Sequence, residues 1–142
     1  MFEAAHPGDV RPRAAVDAAR LFADGAPRTK LQRETSFAAH RVAKEAGSEA
    51  ARLAAQAAGD AASAAYLHPI ARATQVGHIL RATACEARIA ELAGESVEPT
   101  LERACARATS VMVDVLRRYP AAPVGTSRVA RLMGQLDVAL RA

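Results

Sequence analysis

Alanine makes up about a quarter of this chain of 142 residues, and that abundance restricts the possible folds more than any other feature of the sequence. Alanine has the highest helix propensity and is depleted in strands, so we predict an all-α fold. Tryptophan is absent and aromatic residues make up 4% of the chain, so the core must come from many small side chains. The length fits one domain, and we predict a single all-helical domain over residues 1–142.

Glycine, proline and capping residues divide the chain into predicted helices. Gly25 and Pro27 end a helix that starts near Val10, and Ser48 is suited to cap another. The apolar spacing predicts further helices at about 29–46, 48–67, 69–93, 99–119 with a break near 109, and from 127 onward. We therefore predict a compact array of about six antiparallel helices around a central helix near residues 69–93.

The stretch from Ala61 to Leu80 carries one formally charged residue, Arg72, whereas charges recur every few positions elsewhere. We expect this near-neutral run to be buried. It contains polar side chains that are costly to bury without hydrogen-bond partners, namely Tyr66, His68, Gln75 and His78. We predict that Gln75 and His78 are largely buried, either in a satisfied polar core or in a binding site, and the residues favour the core.

Two glycines interrupt predicted helices, where glycine costs about 1 kcal/mol relative to alanine. These residues are Gly59 and Gly77. We expect a neighbouring helix to approach closely at both positions.

The segment HPGDVRPR at residues 6–13 places His6, Asp9, Arg11 and Arg13 around a turn and a helix N-terminus. Such an arrangement could recognise an anion or a carboxylate. The residues favour a structural role, because Asp9 can cap the next helix and Arg13 can pair with an acidic residue four positions on, Asp17.

The sequence contains none of the motifs that we associate with nucleophilic catalysis, phosphate loops or zinc proteases. Its histidines never fall four residues apart, and Cys85 and Cys105 lack metal-ligand spacing. We predict a protein that is not an enzyme and that uses no cofactor and no metal. The polar residues left as candidates for binding are His6, Asp9, Arg11, Arg13, His40, Tyr66, His68, Gln75 and His78.

The chain is basic, with a formal charge of +4 and a pI of about 9.7. Its arginines are spread among acidic residues, which favours a solvated surface over a nucleic-acid site. We find no signal peptide and no apolar run long enough to span a membrane. We therefore predict a soluble cytoplasmic protein.

Three stretches of the chain resemble a family of small alanine-rich helical bacterial proteins, the immunity-protein-5-like family. They are FEAAHPGDVRPR at residues 2–13, AASAAYLHPIARATQVGHIL at 61–80 and VLRRYPAAP at 115–123. The first is the most specific, and the similarity runs along essentially the whole chain. The resemblance implies an all-helical fold and protection against a toxin. Members usually carry a helix before the first stretch, so we expect the N-terminal helix to be truncated.

The leading functional prediction is an immunity-type protein that binds and neutralises a toxin partner without catalysis. One alternative is a helical protein associated with nucleic acid through its arginines, namely Arg81, Arg88, Arg117, Arg118, Arg128 and Arg131. Another alternative is a small-molecule or metal site walled by His40, Tyr66, Gln75 and His78.

Overall fold

Helices are the only regular secondary structure in the residues that the structure, a computed structural model, describes, which are 2–142. They are α1 (Phe2–Ala5), α2 (Arg11–Ala23), α3 (Lys30–Glu45), α4 (Glu49–Ser63), α5 (Val76–Leu92), α6 (Glu98–Arg107), α7 (Ser110–Arg117) and α8 (Arg128–Arg141). The predicted all-α fold is confirmed. The described residues form eight helices, where about six were predicted, because a one-turn helix comes first and the segment at 99–119 is divided near residue 109, as predicted.

Side-chain caps fix where four of these helices begin. At α3, the Thr29 hydroxyl accepts a hydrogen bond from the Leu31 amide, and the Gln32 side chain accepts one from the Thr29 amide. Three further caps accept hydrogen bonds from the amide three positions ahead, and these are Ser48, Thr109 and Ser127. A cap of this kind stabilises a helix by about 1 kcal/mol, since the first-turn amides have no partner within the helix.

The first compact unit ends at Leu67, and within it α4 contacts α1, α2 and α3. Two buried clusters belong to its core: Phe2, Val42, Ala43, Ala51 and Ala55 in one, and Ala15, Ala39, Ala58 and Ala62 in the other. The core is therefore made largely of small side chains, as predicted. Each alanine buries little apolar area, so this unit depends on many small contacts along its helices.

The second compact unit starts at His68, and within it α5 contacts both α6 and α8 while α7 packs on α8. Its most deeply buried large side chains are Val76, Cys85, Leu116, Leu132 and Leu136. The predicted central helix corresponds to α5, which is the central helix of this unit, whereas α4 has that place in the first. The prediction of a single domain over 1–142 stays a prediction.

The predicted start of the central helix at Pro69 is wrong, since α5 begins at Val76 after a short 3₁₀ turn, Ala73–Gln75. The residues before that turn form an exposed loop, in which Ile70 is 49% exposed. The expectation that the whole near-neutral run is buried is therefore also wrong, because a low charge density does not by itself provide apolar side chains to bury. Gln75 and His78 are half-buried rather than largely buried.

The two helix-interrupting glycines differ in what surrounds them. A Cβ placed on Gly59 would lie 2.8 Å from Nε2 of His40, so α3 does approach α4 closely there, as predicted. At Gly77 the three nearest atoms all belong to Arg81 of the same helix, and the expected neighbouring helix is not what fills this space.

No helix in residues 2–142 is both long enough and apolar enough to span a membrane.

Candidate functional site

Arg11 connects the start of α2 to the end of α3. Its guanidinium donates to both carboxylate oxygens of Asp9, at 2.6 and 2.9 Å for the shortest contacts, and to Oε2 of Glu45 at 2.9 Å. The Asp9 carboxylate also accepts from the Arg11 amide at 3.1 Å. These bonds hold the pKa of Asp9 below its usual value and raise the pKa of Arg11. The charged groups of Asp9 and Arg11 are thus both paired within the protein.

Arg13 makes a second cross-brace, in which its guanidinium donates two hydrogen bonds of 2.9 Å to the Glu3 carboxylate. This bidentate pair lowers the pKa of Glu3 and raises that of Arg13. The predicted pair of Arg13 with Asp17 is not formed, because Asp17 lies 3.5 Å from Arg20 instead. His6 stacks on the Phe2 ring with the ring centroids 4.7 Å apart.

The turn at residues 6–13 therefore braces α1, α2 and α3 against one another. The structure supports the structural interpretation of this segment, since each arginine is already matched by a carboxylate of the same chain.

Tyr66 fastens the loop before α3 to the end of α4. Its hydroxyl donates a hydrogen bond of 2.6 Å to the Thr29 carbonyl oxygen, and the Arg28 guanidinium lies 4.9 Å from the centre of its ring. Arg28 also donates to the Ala65 carbonyl oxygen at 3.4 Å. The tyrosine is a tether within the first unit, where its polar and aromatic parts both have partners.

His40 faces a buried carboxylate. Its Nε2 lies 3.5 Å from Oδ1 of Asp60, whose side chain is 3% exposed, while the His40 side chain is 33% exposed. The ring lies against the backbone at Gly59, which has no side chain to displace it. This His–Asp pair joins α3 to α4 at a position that is still reached by solvent.

His68 and Gln75 organise the loop before α5 in the second unit. The His68 amide donates to Oε1 of Gln75 at 3.0 Å, and the Tyr119 hydroxyl donates to the His68 carbonyl oxygen at 2.7 Å. The predicted residues thus form several small local arrangements rather than one pocket in either unit. Among residues 2–142 no group of three or more His, Cys, Asp or Glu side chains is placed to hold a metal ion.

An exposed surface on α3 has the features of a protein-binding site, and we call Arg33, Phe37 and Arg41 the α3 surface. The three residues follow one another at four-residue intervals and therefore share one side of the helix. Phe37 is 63% exposed. Neither arginine forms an ion pair or a side-chain hydrogen bond within the described part of the chain. Glu34 lies nearby, 3.7 Å from Lys30 Nζ.

Sequence reasoning missed the α3 surface because it looked for apolar residues on the core stripe and for clustered polar residues. The available indication was the position of Phe37, which lies between two arginines and off the buried side of the helix, whose members are Gln32, Ser36, Ala39, Val42 and Ala43.

Two of the arginines named as possible nucleic-acid contacts form ion pairs with one carboxylate, that of Glu91. Arg128 donates to Oε1 of Glu91 at 2.6 and 2.9 Å and to its Oε2 at 3.0 Å, and Arg88 donates to Oε2 at 2.6 Å. The pKa of Glu91 falls to about 2 because both arginines stabilise its charged form. Arg117 donates to the Arg141 carbonyl oxygen at 3.1 Å. Two of the six arginines named for the nucleic-acid alternative are thus paired with Glu91 within the second unit.

A second buried carboxylate, Asp137, was also missed. It accepts from the Ala122 amide at 2.9 Å and from Arg141 Nε at 2.8 Å, and Arg141 in turn donates to the Tyr119 carbonyl oxygen at 3.1 Å. The indication in the sequence was an acid on an apolar stripe, between Leu136 and Leu140.

Comparison with known proteins gives one result, and it concerns the family. The family model described as Imm-5 like putative immunity protein matches residues 1–110, which contain α1 to α6 and the α3 surface. The VLRRYPAAP stretch at 115–123 lies beyond the matched residues. No curated protein and no solved structure gives a significant match. Because the model matches well over half of its residues, the chain belongs to the Imm-5 like putative immunity protein family.

Proposed function

We propose that the protein is an immunity protein that binds a toxin and neutralises it by occlusion, and that the α3 surface makes the central contact. The observation that carries this proposal is the exposure of Phe37 between two arginines that have no partner in the described chain. Aromatic residues and arginine are enriched in the fully buried centres of protein interfaces. The family name suggests an immunity function, and the exposed aromatic ring between two arginines supports the α3 surface as the binding site.

The chemistry of the α3 surface specifies the kind of partner. A phenyl ring needs an apolar pocket, and burying it fully is worth about 1.5–3 kcal/mol. Two flanking guanidinium groups need carboxylates on the rim of that pocket, since leaving a buried charge unpaired is costly. The formal charge of +4 also favours a partner with an acidic binding face. We infer a partner whose binding face is acidic around an apolar depression.

The proposal assigns no catalysis to the protein. The hydrogen bonds of the candidate site residues support a role without catalysis. Four of these residues bond to neighbouring parts of their own unit, namely Asp9, Arg11, Arg13 and Tyr66. We propose that the protein acts in the cytoplasm. Cys85 is buried, Cys105 is half-buried, and neither forms a disulfide, as is usual in a reducing compartment.

The test begins with capture. The tagged protein is incubated with a lysate of the organism that encodes it, alongside the Phe37→Asp variant, and proteins retained only by the wild type are identified by mass spectrometry. Each candidate is then expressed from an inducible promoter in a heterologous bacterium, alone and together with the wild-type chain. We expect one candidate to arrest growth alone and to be harmless when the wild-type chain is present.

Val111→Asp is the matched control, because Val111 is 69% exposed and the change also replaces an exposed apolar side chain by a carboxylate. It should protect as the wild type does, whereas Phe37→Asp should not. The proposal fails if no retained protein is toxic, or if toxicity persists in the presence of the wild-type chain. If Phe37→Asp protects as well as the wild type does, the α3 surface is not the site that binds the toxin.

A further inference from the structure

A groove between α3 and α4 brings together four polar side chains that the proposed toxin contact does not use. His40 and Lys44 lie one turn apart on α3, and Arg52 and Gln56 lie one turn apart on α4. These four side chains, with Ala43, line a cavity of about 310 Å³. We call it the α3–α4 groove.

The charge of the α3–α4 groove is of one sign. Its polar lining consists of an ammonium, a guanidinium, an amide and an imidazole, all of which can donate hydrogen bonds, and includes no carboxylate. Lys44 and Arg52 form no ion pair or side-chain hydrogen bond within residues 2–142. The carboxylate that follows Lys44, Glu45, is held by Arg11 at 2.9 Å.

The groove also has one fixed wall. The His40 ring rests on the α4 backbone at Gly59, and its Nε2 lies 3.5 Å from the buried Asp60 carboxylate. The contact with this carboxylate orients the imidazole ring beside the groove.

We propose that the α3–α4 groove binds a phosphate group, either as inorganic phosphate or as the phosphate of a small monoester. A guanidinium matches two oxygens of a phosphate, and an ammonium adds a mobile point charge, so that Arg52 and Lys44 together match a dianion. The Gln56 amide can donate to a third oxygen. The cavity is larger than one phosphate, which leaves room for the organic part of a monoester.

The experiment is an NMR titration of the ¹⁵N-labelled full chain with sodium phosphate and, separately, with ribose 5-phosphate. Sodium chloride is adjusted to keep the ionic strength constant. We expect saturable shifts of the Gln56 side-chain amide and of the backbone amides around Lys44 and Arg52. Tighter binding of ribose 5-phosphate assigns the groove to a monoester, and binding of inorganic phosphate that is equal or tighter assigns it to the free ion.

The groove variant is Lys44→Gln with Arg52→Gln, and the control is Arg33→Gln with Arg41→Gln. Both remove two charges at exposed positions of the first unit, but only the first pair lines the groove. Affinity should fall about tenfold or more in the groove variant, since each charged hydrogen bond is worth a measurable part of the binding energy. The control should bind phosphate as the wild type does, and circular dichroism melting curves of both variants verify their folding.

Two results would overturn the proposal. One is the absence of saturation at constant ionic strength. The other is an equal loss of affinity in the groove variant and the control, which would mean that phosphate responds only to the general positive charge of the surface.

Discussion

At Gly59, the absence of a side chain decides how α3 and α4 pack. A Cβ at this position would lie 2.8 Å from Nε2 of His40, closer than real Cβ contacts come. Gly59→Ala should therefore push the His40 ring away from Asp60 and destabilise the protein by about 1 kcal/mol, although alanine is the better helix former. Thermal unfolding followed by circular dichroism measures the change.

The His40→Ala background provides the control for this prediction. Truncating the ring removes the three atoms nearest to the added methyl group, and Gly59→Ala should become stabilising by up to about 1 kcal/mol. An identical effect of Gly59→Ala in both backgrounds would show that the ring does not determine the role of the glycine.

Asp137 is a buried carboxylate whose loss should destabilise the second unit. Its side chain is 3% exposed and bonds to both the Ala122 amide and Arg141. Asp137→Ala leaves these donors without their acceptor and should destabilise the protein by about 3 kcal/mol. Asp137→Asn keeps an acceptor and should cost clearly less. Urea unfolding of both variants checks the order, and equal losses would mean that the hydrogen bonds do not matter.

Single residues show what the sequence could and could not predict. Gly59 was correctly expected at a close helix approach, because a glycine inside a helix needs a local reason. The partner of His40 was not predictable, since Asp60 comes from another helix and no spacing rule links the two. The four-residue spacing predicted Asp17 as the ion-pair partner of Arg13. The bidentate partner is Glu3 of the preceding helix.

At the scale of elements, one carboxylate joins α5 to α8 and makes their contact sensitive to acid. The pKa of Glu91 is lowered from its usual value near 4.5 to about 2 by Arg128 and Arg88. The unfolded chain therefore takes up this proton at higher pH than the folded chain does. The stabilisation by Glu91 is fully present above about pH 4.5 and is lost as the pH falls towards 2.

Glu91→Gln should lower the melting temperature at pH 7, and the difference from the wild type should shrink as the pH approaches 2. Glu95→Gln is the matched control, because Glu95 is exposed and forms no ion pair within the described chain. Melting curves at pH 7, 4 and 2 provide the measurement. A difference that stays constant across this range would contradict the assigned role of Glu91.

Helix starts were predictable where a side-chain cap defined them. Thr29, Ser48 and Ser127 all cap the helices they were expected to start. Pro69 was read as a helix start by the same logic, yet the loop continues to Val76. The bonds that hold this loop, from the Tyr119 hydroxyl to His68 and from His68 to Gln75, depend on distant residues that local patterns do not include.

At the scale of the whole molecule, we predict that the excess of arginine does not give tight binding to nucleic acid. Several basic side chains are cancelled locally by Asp9, Glu3, Glu45 and Glu91. We predict that binding to single-stranded or duplex DNA is no tighter than about 10⁻⁵ M near physiological salt. Fluorescence anisotropy at two salt concentrations tests this. Submicromolar, salt-sensitive binding would favour the nucleic-acid alternative over the immunity function.

The central claim is that the α3 surface binds the toxin, and isothermal titration calorimetry with the purified toxin tests it most directly. Phe37→Ala should weaken binding about thirtyfold or more, as expected for an aromatic residue at the centre of an interface. Val138→Ala, which truncates a side chain that is 72% exposed in the second unit, should leave the affinity unchanged. Binding of the Phe37→Ala variant with wild-type affinity would contradict the claim.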